Sequence, residues 1–453
     1  MQNHFEVEEN VYSVVSELQN AGYETYIVGG AIRDLLLDRI PKDYDISTAA
    51  TPEQVREVFG RRRARIIGRR FQLVHVRCGK ELFEVSTFRR APQENRHTPQ
   101  TPGARKIAEL EEAENMIFND NDFGTSEEDA WRRDFTVNAL FYDPVADELI
   151  DYTGSGIADI ESGLVRAIGD AKLRFEEDPV RMLRALKLVG QYGFKLERKT
   201  EDALRATLPL LELASVSRLS LELEKILNSN YTGSLMQTFA DYGLLKHLLP
   251  NAARNQEKLN LALQLLKKRD QRVAAGYYRN SASLAMAALA LPYVESMIDG
   301  NYRRNYAKNR IKGEEPGEWD EEMLRQALLN VYQPLAIIKR LSCSACRMLA
   351  IQPLLFGKYP AKKLVRLKGF AHAMELFKVQ CESDYLQCDA EFIAHWRDII
   401  ARVGGVNRQS ESGSEEEEKA DISETPFKRK RRRRPRRRKP VAEAVPEELK
   451  LGF

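Results

Sequence analysis

Asp43 and Asp45 stand two residues apart in the run Lys42-Asp43-Tyr44-Asp45-Ile46. On an extended strand, residues i and i+2 project from one face, so the two carboxylates lie side by side. Carboxylates that close repel unless a proton or a cation sits between them. A hard, oxygen-seeking ion such as Mg²⁺, or Mn²⁺ in its place, meets that need and usually brings phosphates with it. Taken alone, the pair could be two exposed acids at a strand start. The residues just upstream, Val28-Gly29-Gly30-Ala31-Ile32-Arg33-Asp34, point elsewhere. They read as a strand-to-helix turn. Glycines there let backbone N–H groups close on a phosphate at a helix start, where the dipole also favours anions. Arg33, one turn on, can add a bidentate clamp.

The elements that must position these groups can be traced from the pattern. Phe5–Asn20 reads as a helix, Tyr23–Val28 as a strand, Ala31–Leu37 as a short helix and Tyr44–Ser47 as a strand. Thr51-Pro52 is a helix start, with a threonine cap and proline at the first helical position, and that helix runs to about Phe59. Ala64–Ile67, Phe71–Cys78 and Glu81–Phe88 follow as strands, rich in β-branched and aromatic residues at period two. From Arg90 to Thr125 periodicity is poor, so a long flexible insertion is expected, with a short helix at Ile107–Glu114. From about Ala171 to Val403 the pattern is helical, apart from a polar interruption at Arg303–Trp319. The expected architecture is a small mixed α/β head over residues 1–170, a helical neck over 171–235, a helical RNA-binding body over 236–403 and a disordered tail over 404–453.

Two further segments give these residues a family context. Arg132-Arg133-Asp134-Phe135-Thr136-Val137-Asn138-Ala139 and Glu177-Asp178-Pro179-Val180-Arg181 follow the first two motifs in order. The four together resemble the nucleotidyltransferase signature, RRDFT-x-NA and ED-x-x-R motifs of the DNA polymerase beta superfamily. More narrowly, they resemble the class II branch that contains CCA-adding enzymes and bacterial poly(A) polymerases. The resemblance implies that Asp43 and Asp45 bind the metals, with Glu84 or Asp134 supplying a third catalytic acid. It implies that Gly29, Gly30 and Arg33 hold a triphosphate, and that Arg133 and Asn138 line the nucleotide pocket. Asp178 and Arg181 would read the base, with Arg184 beside them. Physically, a carboxylate accepts from an exocyclic amine and a guanidinium donates to a ring nitrogen. Adenine and cytosine both offer that edge. Guanine and uracil would each leave a buried polar group unpaired, at about 1–3 kcal/mol. The pair therefore rejects G and U but does not separate ATP-only addition from CTP-plus-ATP addition. The run Ile66-Ile67-Gly68-Arg69-Arg70-Phe71-Gln72-Leu73-Val74-His75-Val76 resembles the segment that sets bacterial poly(A) polymerases apart within the branch. It favours addition of AMP from ATP to RNA 3′ ends. A CCA-adding tRNA nucleotidyltransferase is the alternative, and a non-catalytic RNA-binding protein on a transferase scaffold the third.

Charge distribution bears on partners. The net formal charge of +3 conceals a tail in which residues 404–453 carry 14 Lys and Arg against 10 Asp and Glu, leaving the remainder near −1. Within Lys428–Lys439, which includes Arg431, Arg432, Arg433, Arg434, Arg436, Arg437 and Arg438, only Pro435 is uncharged. Such a run binds RNA phosphates through counterion release and weakens steeply with salt. Contact with proteins of the RNA-degradation machinery is the competing use. No apolar run approaches the roughly 20 residues a membrane helix needs, and five cysteines do not make a disulfide framework. A cytoplasmic monomer is expected.

Overall fold

A computed structural model describes residues 5–68, 72–90, 123–298, 319–355 and 360–386, with a few positions between 394 and 401. The helix expected at Ile107–Glu114, Arg69 and Arg70, most of the Arg303–Trp319 interruption and the whole 404–453 tail lie outside the described residues. The head begins with helix α1 (Glu9–Asn20), strand β1 (Thr25–Val28), helix α2 (Gly30–Leu36) and strand β2 (Asp45–Thr48). Helix α3 (Pro52–Arg63) and strands β3 (Ala64–Ile67), β4 (Leu73–Cys78) and β5 (Glu81–Thr87) follow. Helix α4 (Ser126–Trp131) precedes β6 (Phe141–Asp143) and β7 (Glu148–Ile150).

These strands form one seven-stranded sheet in the order β3-β4-β5-β2-β1-β6-β7. β2 and β5 run parallel and the other neighbours antiparallel. Alternation along the strands gives the sheet two different faces. Ile27, Ile46, Val74, Val76 and Val85 are buried in the main core with Val11, Val14, Val15 and Leu18 of α1 and Val55 and Phe59 of α3. The other face carries Asp45, Ser47, Glu84 and Ser86 and, towards β6, a small cluster of Val28, Phe88, Ala130 and Phe141. Thr51 starts α3 as expected, in a capping box with Gln54, and Gly60 at φ 70° and ψ 157° breaks the helical path after Phe59. Strands β6 and β7 were not anticipated from sequence. Three residues are too few for period two to show.

Beyond the head the described chain is almost wholly helical. Helices α5 (Ala171–Glu177), α6 (Val180–Tyr192), α7 (Arg198–Thr207) and α8 (Val216–Leu227) lead into α9 (Thr232–Asp241) and α10 (Gln256–Ala274). A parallel pair, Leu164–Val165 with Lys195–Leu196, ties the end of the head segment to the chain after α6. Crossing points depend on missing side chains. A Cβ on Gly233 would lie 2.6 Å from the backbone nitrogen of Lys267, and one on Gly190 would lie 3.0 Å from Leu235. Farther on, the buried Arg272 guanidinium donates to both carboxylate oxygens of Glu375, at 2.6 and 3.0 Å, across 103 residues of sequence.

Candidate active site

Asp45 is the first residue of β2, and Asp43 lies just before the strand. Tyr44 between them is buried while both acids are exposed. Alternation thus presents both carboxylates on the open side of the sheet. In the parallel β2–β5 pairing, Asp45 stands directly opposite Glu84. Two residues deeper the same alignment brings the Ser47 and Ser86 hydroxyls to 3.0 Å. Although Asp45 is exposed as a residue, partial desolvation of its carboxyl raises it above the ordinary aspartate range. The charges of Asp43 and Glu84 push it further, and only Arg133 opposes them. Asp43 and Glu84 thus add negative charge at Asp45, and Arg133 offsets it in part. That charge imbalance suits a divalent cation, for which Asp43, Asp45 and Glu84 are the candidate ligands, while among the described residues no three His, Cys, Asp or Glu side chains are grouped so as to hold a metal ion.

Beside these acids, β1 is followed by Gly29, whose φ of 75° falls in the left-handed region that glycine tolerates. A Cβ there would lie 3.1 Å from Nη1 of Arg133. The Arg133 side chain thus lies across the Gly29 backbone. Its Nη2 donates to Asp129 at 2.9 Å, and the guanidinium sits 5.1 Å from the Phe141 ring centroid. Asp129 comes four residues earlier, the spacing of one helical turn, so the partnership could have been read from sequence.

Arg33, expected to add a bidentate clamp, is buried and held by protein partners. Nη1 donates to Asn138 at 2.5 Å, Nη2 to the Tyr192 hydroxyl at 2.5 Å and Nε to Asp34 at 3.2 Å. The guanidinium also lies 4.3 Å from the Tyr192 ring centroid. It joins the β1–α2 turn to the end of α6, and Asn138 is spent on holding it. Tyr192, 159 residues away in sequence, gave no signal in the motif spacing.

Asp134 is likewise held by protein partners. Both its oxygens are occupied, Oδ1 by Arg181 Nε and Oδ2 by Arg184 Nη1, each at 2.7 Å. Burial alone would raise this carboxyl, but Arg184 and Arg181 hold it below the usual range. The group expected as a candidate third acid is thus already neutralised, while Glu84 faces Asp45. Arg181 also donates through Nη1 to Glu177 and to the Arg174 carbonyl, each at 2.9 Å. Arg174 reaches back to the Arg132 and Arg133 carbonyls. Asp178 lies two residues before α6, its Oδ1 accepting from Val180 N at 3.2 Å and its Oδ2 from Arg218 at 2.7 Å. Lys187 pairs with the buried Glu222 of α8 at 3.1 Å.

The site can now be set beside known proteins. Residues 25–166 match the family profile described as the poly A polymerase head domain. Residues 193–255 match a second profile, described as the probable RNA and SrmB-binding site of polymerase A. A relative from Haemophilus influenzae named poly(A) polymerase I is 39% identical over 294 residues, covering 64% of this chain and 63% of that protein. The chain thus spans less than two thirds of that relative's length. The CCA-adding enzyme of Geobacillus stearothermophilus is 35% identical over 249 residues, covering 55% of this chain and 56% of that enzyme. Among solved structures, a tRNA-processing enzyme in an apo form gives a TM-score of 0.56 at 20% identity, covering 89% of this chain and 100% of that one. That likeness concerns the fold. It agrees with a mixed-sheet head followed by a helix-rich remainder.

Proposed function

We propose that the protein is a template-independent poly(A) polymerase, adding AMP from ATP to RNA 3′ ends and releasing pyrophosphate. The observation that carries this reading is the set of acids Asp43, Asp45 and Glu84, offset only in part by Arg133, beside the Gly29 turn. Asp43, Asp45 and Glu84 would hold the Mg²⁺ or Mn²⁺. When bound, such ions lower the pKa of an RNA 3′-hydroxyl and offset charge on the pyrophosphate as it leaves.

The remaining work falls to the chain. The backbone N–H of Gly30, with Arg133, receives the triphosphate, while that of Gly29 donates to the Leu140 carbonyl at 3.1 Å and fixes the turn. Arg33 and Asn138 keep the turn in place from beneath. Asp178 and Arg181 face the base from α6. Each Asp178 oxygen has a lone pair beyond the bond it already accepts, and Arg181 Nη2 makes none of that residue's internal bonds. Asp134 with Arg184 sets the angle of Arg181. No protein nucleophile is required. Use of ATP alone is supported by the relatives named poly(A) polymerase I, which align at 37–39% identity over 64% of the chain. The relatives named CCA-adding enzyme align over 55–56% of it. The basic tail would add sequence-independent RNA affinity, and a cytoplasmic location belongs to the same proposal.

The test is transfer by purified full-length protein with Mg²⁺ and each nucleoside triphosphate in turn, on an unstructured RNA and on tRNA lacking CCA. Long ladders from ATP alone on the unstructured RNA are expected. Addition that stops after CCA on tRNA would replace this reading with the CCA-adding one, and no addition with any triphosphate would leave the non-catalytic one.

A further inference from the structure

In-line transfer requires the two substrates to reach the carboxylates from opposite sides. The β1–α2 turn and Arg133 occupy one side. On the other, the sheet continues through β5, β4 and β3. Glu84 is in register with His75, and His75 with Arg65. Adjacent strands lie about 4.8 Å apart, so the row Asp45, Glu84, His75, Arg65 crosses four strands on one face. His75 Nε2 lies 3.6 Å from Glu84 Oε1. One pleat repeat nearer the Asp43 end, Leu82 of β5 is in register with Arg77 of β4.

These residues share the face of the carboxylates, because Ala64, Val74, Val76, Phe83 and Val85, which alternate with them, are buried in the core. Arg65 and Arg77 are exposed, and neither guanidinium makes a hydrogen bond or ion pair among the described residues. They contrast with Arg33, Arg133, Arg181 and Arg184, all engaged by protein carboxylates. Leu82, 54% exposed, adds an apolar surface beside Arg77. Two unpaired guanidiniums on β3 and β4, with an apolar side chain beside the nearer one on β5, offer what single-stranded nucleic acid requires, cationic contacts for its backbone and an apolar surface for a base.

We propose that Arg65 and Arg77, with Leu82, form the subsite for the acceptor end of the RNA. The guanidiniums bind the last two phosphodiesters, Leu82 bears on the terminal nucleoside, and His75 spaces this strip from the carboxylates. The proposal rests on the polymerase reading and adds where the second substrate lies.

The test pairs Arg65→Ala and Arg77→Ala with RNA primers carrying one neutral methylphosphonate at the last or the penultimate linkage. For each single substitution, KM for RNA should rise about 10-fold, the scale of one charge-assisted hydrogen bond, while KM for ATP stays within about twofold. The neutral linkage should cost the unsubstituted protein a similar factor and cost the matching variant little more. The slope of log affinity against log salt should fall by about 0.7 per lost phosphate contact. Full additivity between substitution and neutral linkage would overturn the proposal, as would a change confined to KM for ATP. The same cycle, run as equilibrium binding of a 3′-deoxy primer, reads the subsite whether or not transfer occurs. Absence of transfer with the coupling intact would remove the polymerase reading alone.

Discussion

The sheet face and the junction between head and helices handle acidic side chains in opposite ways. At the junction, Asp134 is met by two guanidiniums and its carboxyl is held low. On the sheet face, Asp45 is met by two more acids and its carboxyl is pushed up. Both aspartates belong to conspicuous motifs, and residue type alone does not tell them apart. Charge balance does. A neutralised acid fixes the arginines around it, whereas an acid left with its own kind stores repulsion that a bound cation relieves.

The sharpest break in this comparison would come from Asp45→Ala. Transfer should fall by at least about 10³-fold, because the lost interactions are worth several kcal/mol in the transition state. The melting temperature should hold or rise as repulsion is relieved. Near-normal transfer would remove Asp45 from the chemistry. Asp134→Ala should do the reverse in stability, costing about 3 kcal/mol by leaving two part-buried guanidiniums without a partner. Urea titration measures this, and an unchanged midpoint would show that the junction does not depend on the pair.

The pH dependence follows from the same contrast. The folded Asp134 carboxyl titrates below its unfolded value, so its contribution is present above the ordinary aspartate range, near pH 4. It is lost as pH falls through the lower folded value. The stability gap between the protein and Asp134→Asn should therefore be full near neutrality and close in acid. A gap constant down to strongly acidic pH would contradict the ion-pair account. The smallest effect concerns the tail. Deleting Lys428–Lys439 should weaken RNA affinity mainly at low salt and flatten its salt dependence. An unchanged slope in filter-binding titrations would take the tail out of RNA contact.

Much of this was legible before folding was considered. Asp43 and Asp45 on one strand face, the glycine turn before them and the Thr51-Pro52 start of α3 are local features, and local stereochemistry fixes them. Spacing could not show that Arg33 is consumed by Tyr192, Asn138 and Asp34, or that Asp134 is consumed by Arg181 and Arg184. Those partners lie from one to 159 residues away, and a guanidinium that looks free in sequence is free only if packing leaves it so. Glu84 became the partner of Asp45, and Arg65 its distant neighbour in the same row, only through the register of four strands. The chain thus names its acids and bases by short-range pattern. Long-range pairing decides which of them keep a charge to offer, because compensation depends on distances of a few ångströms between segments far apart in sequence.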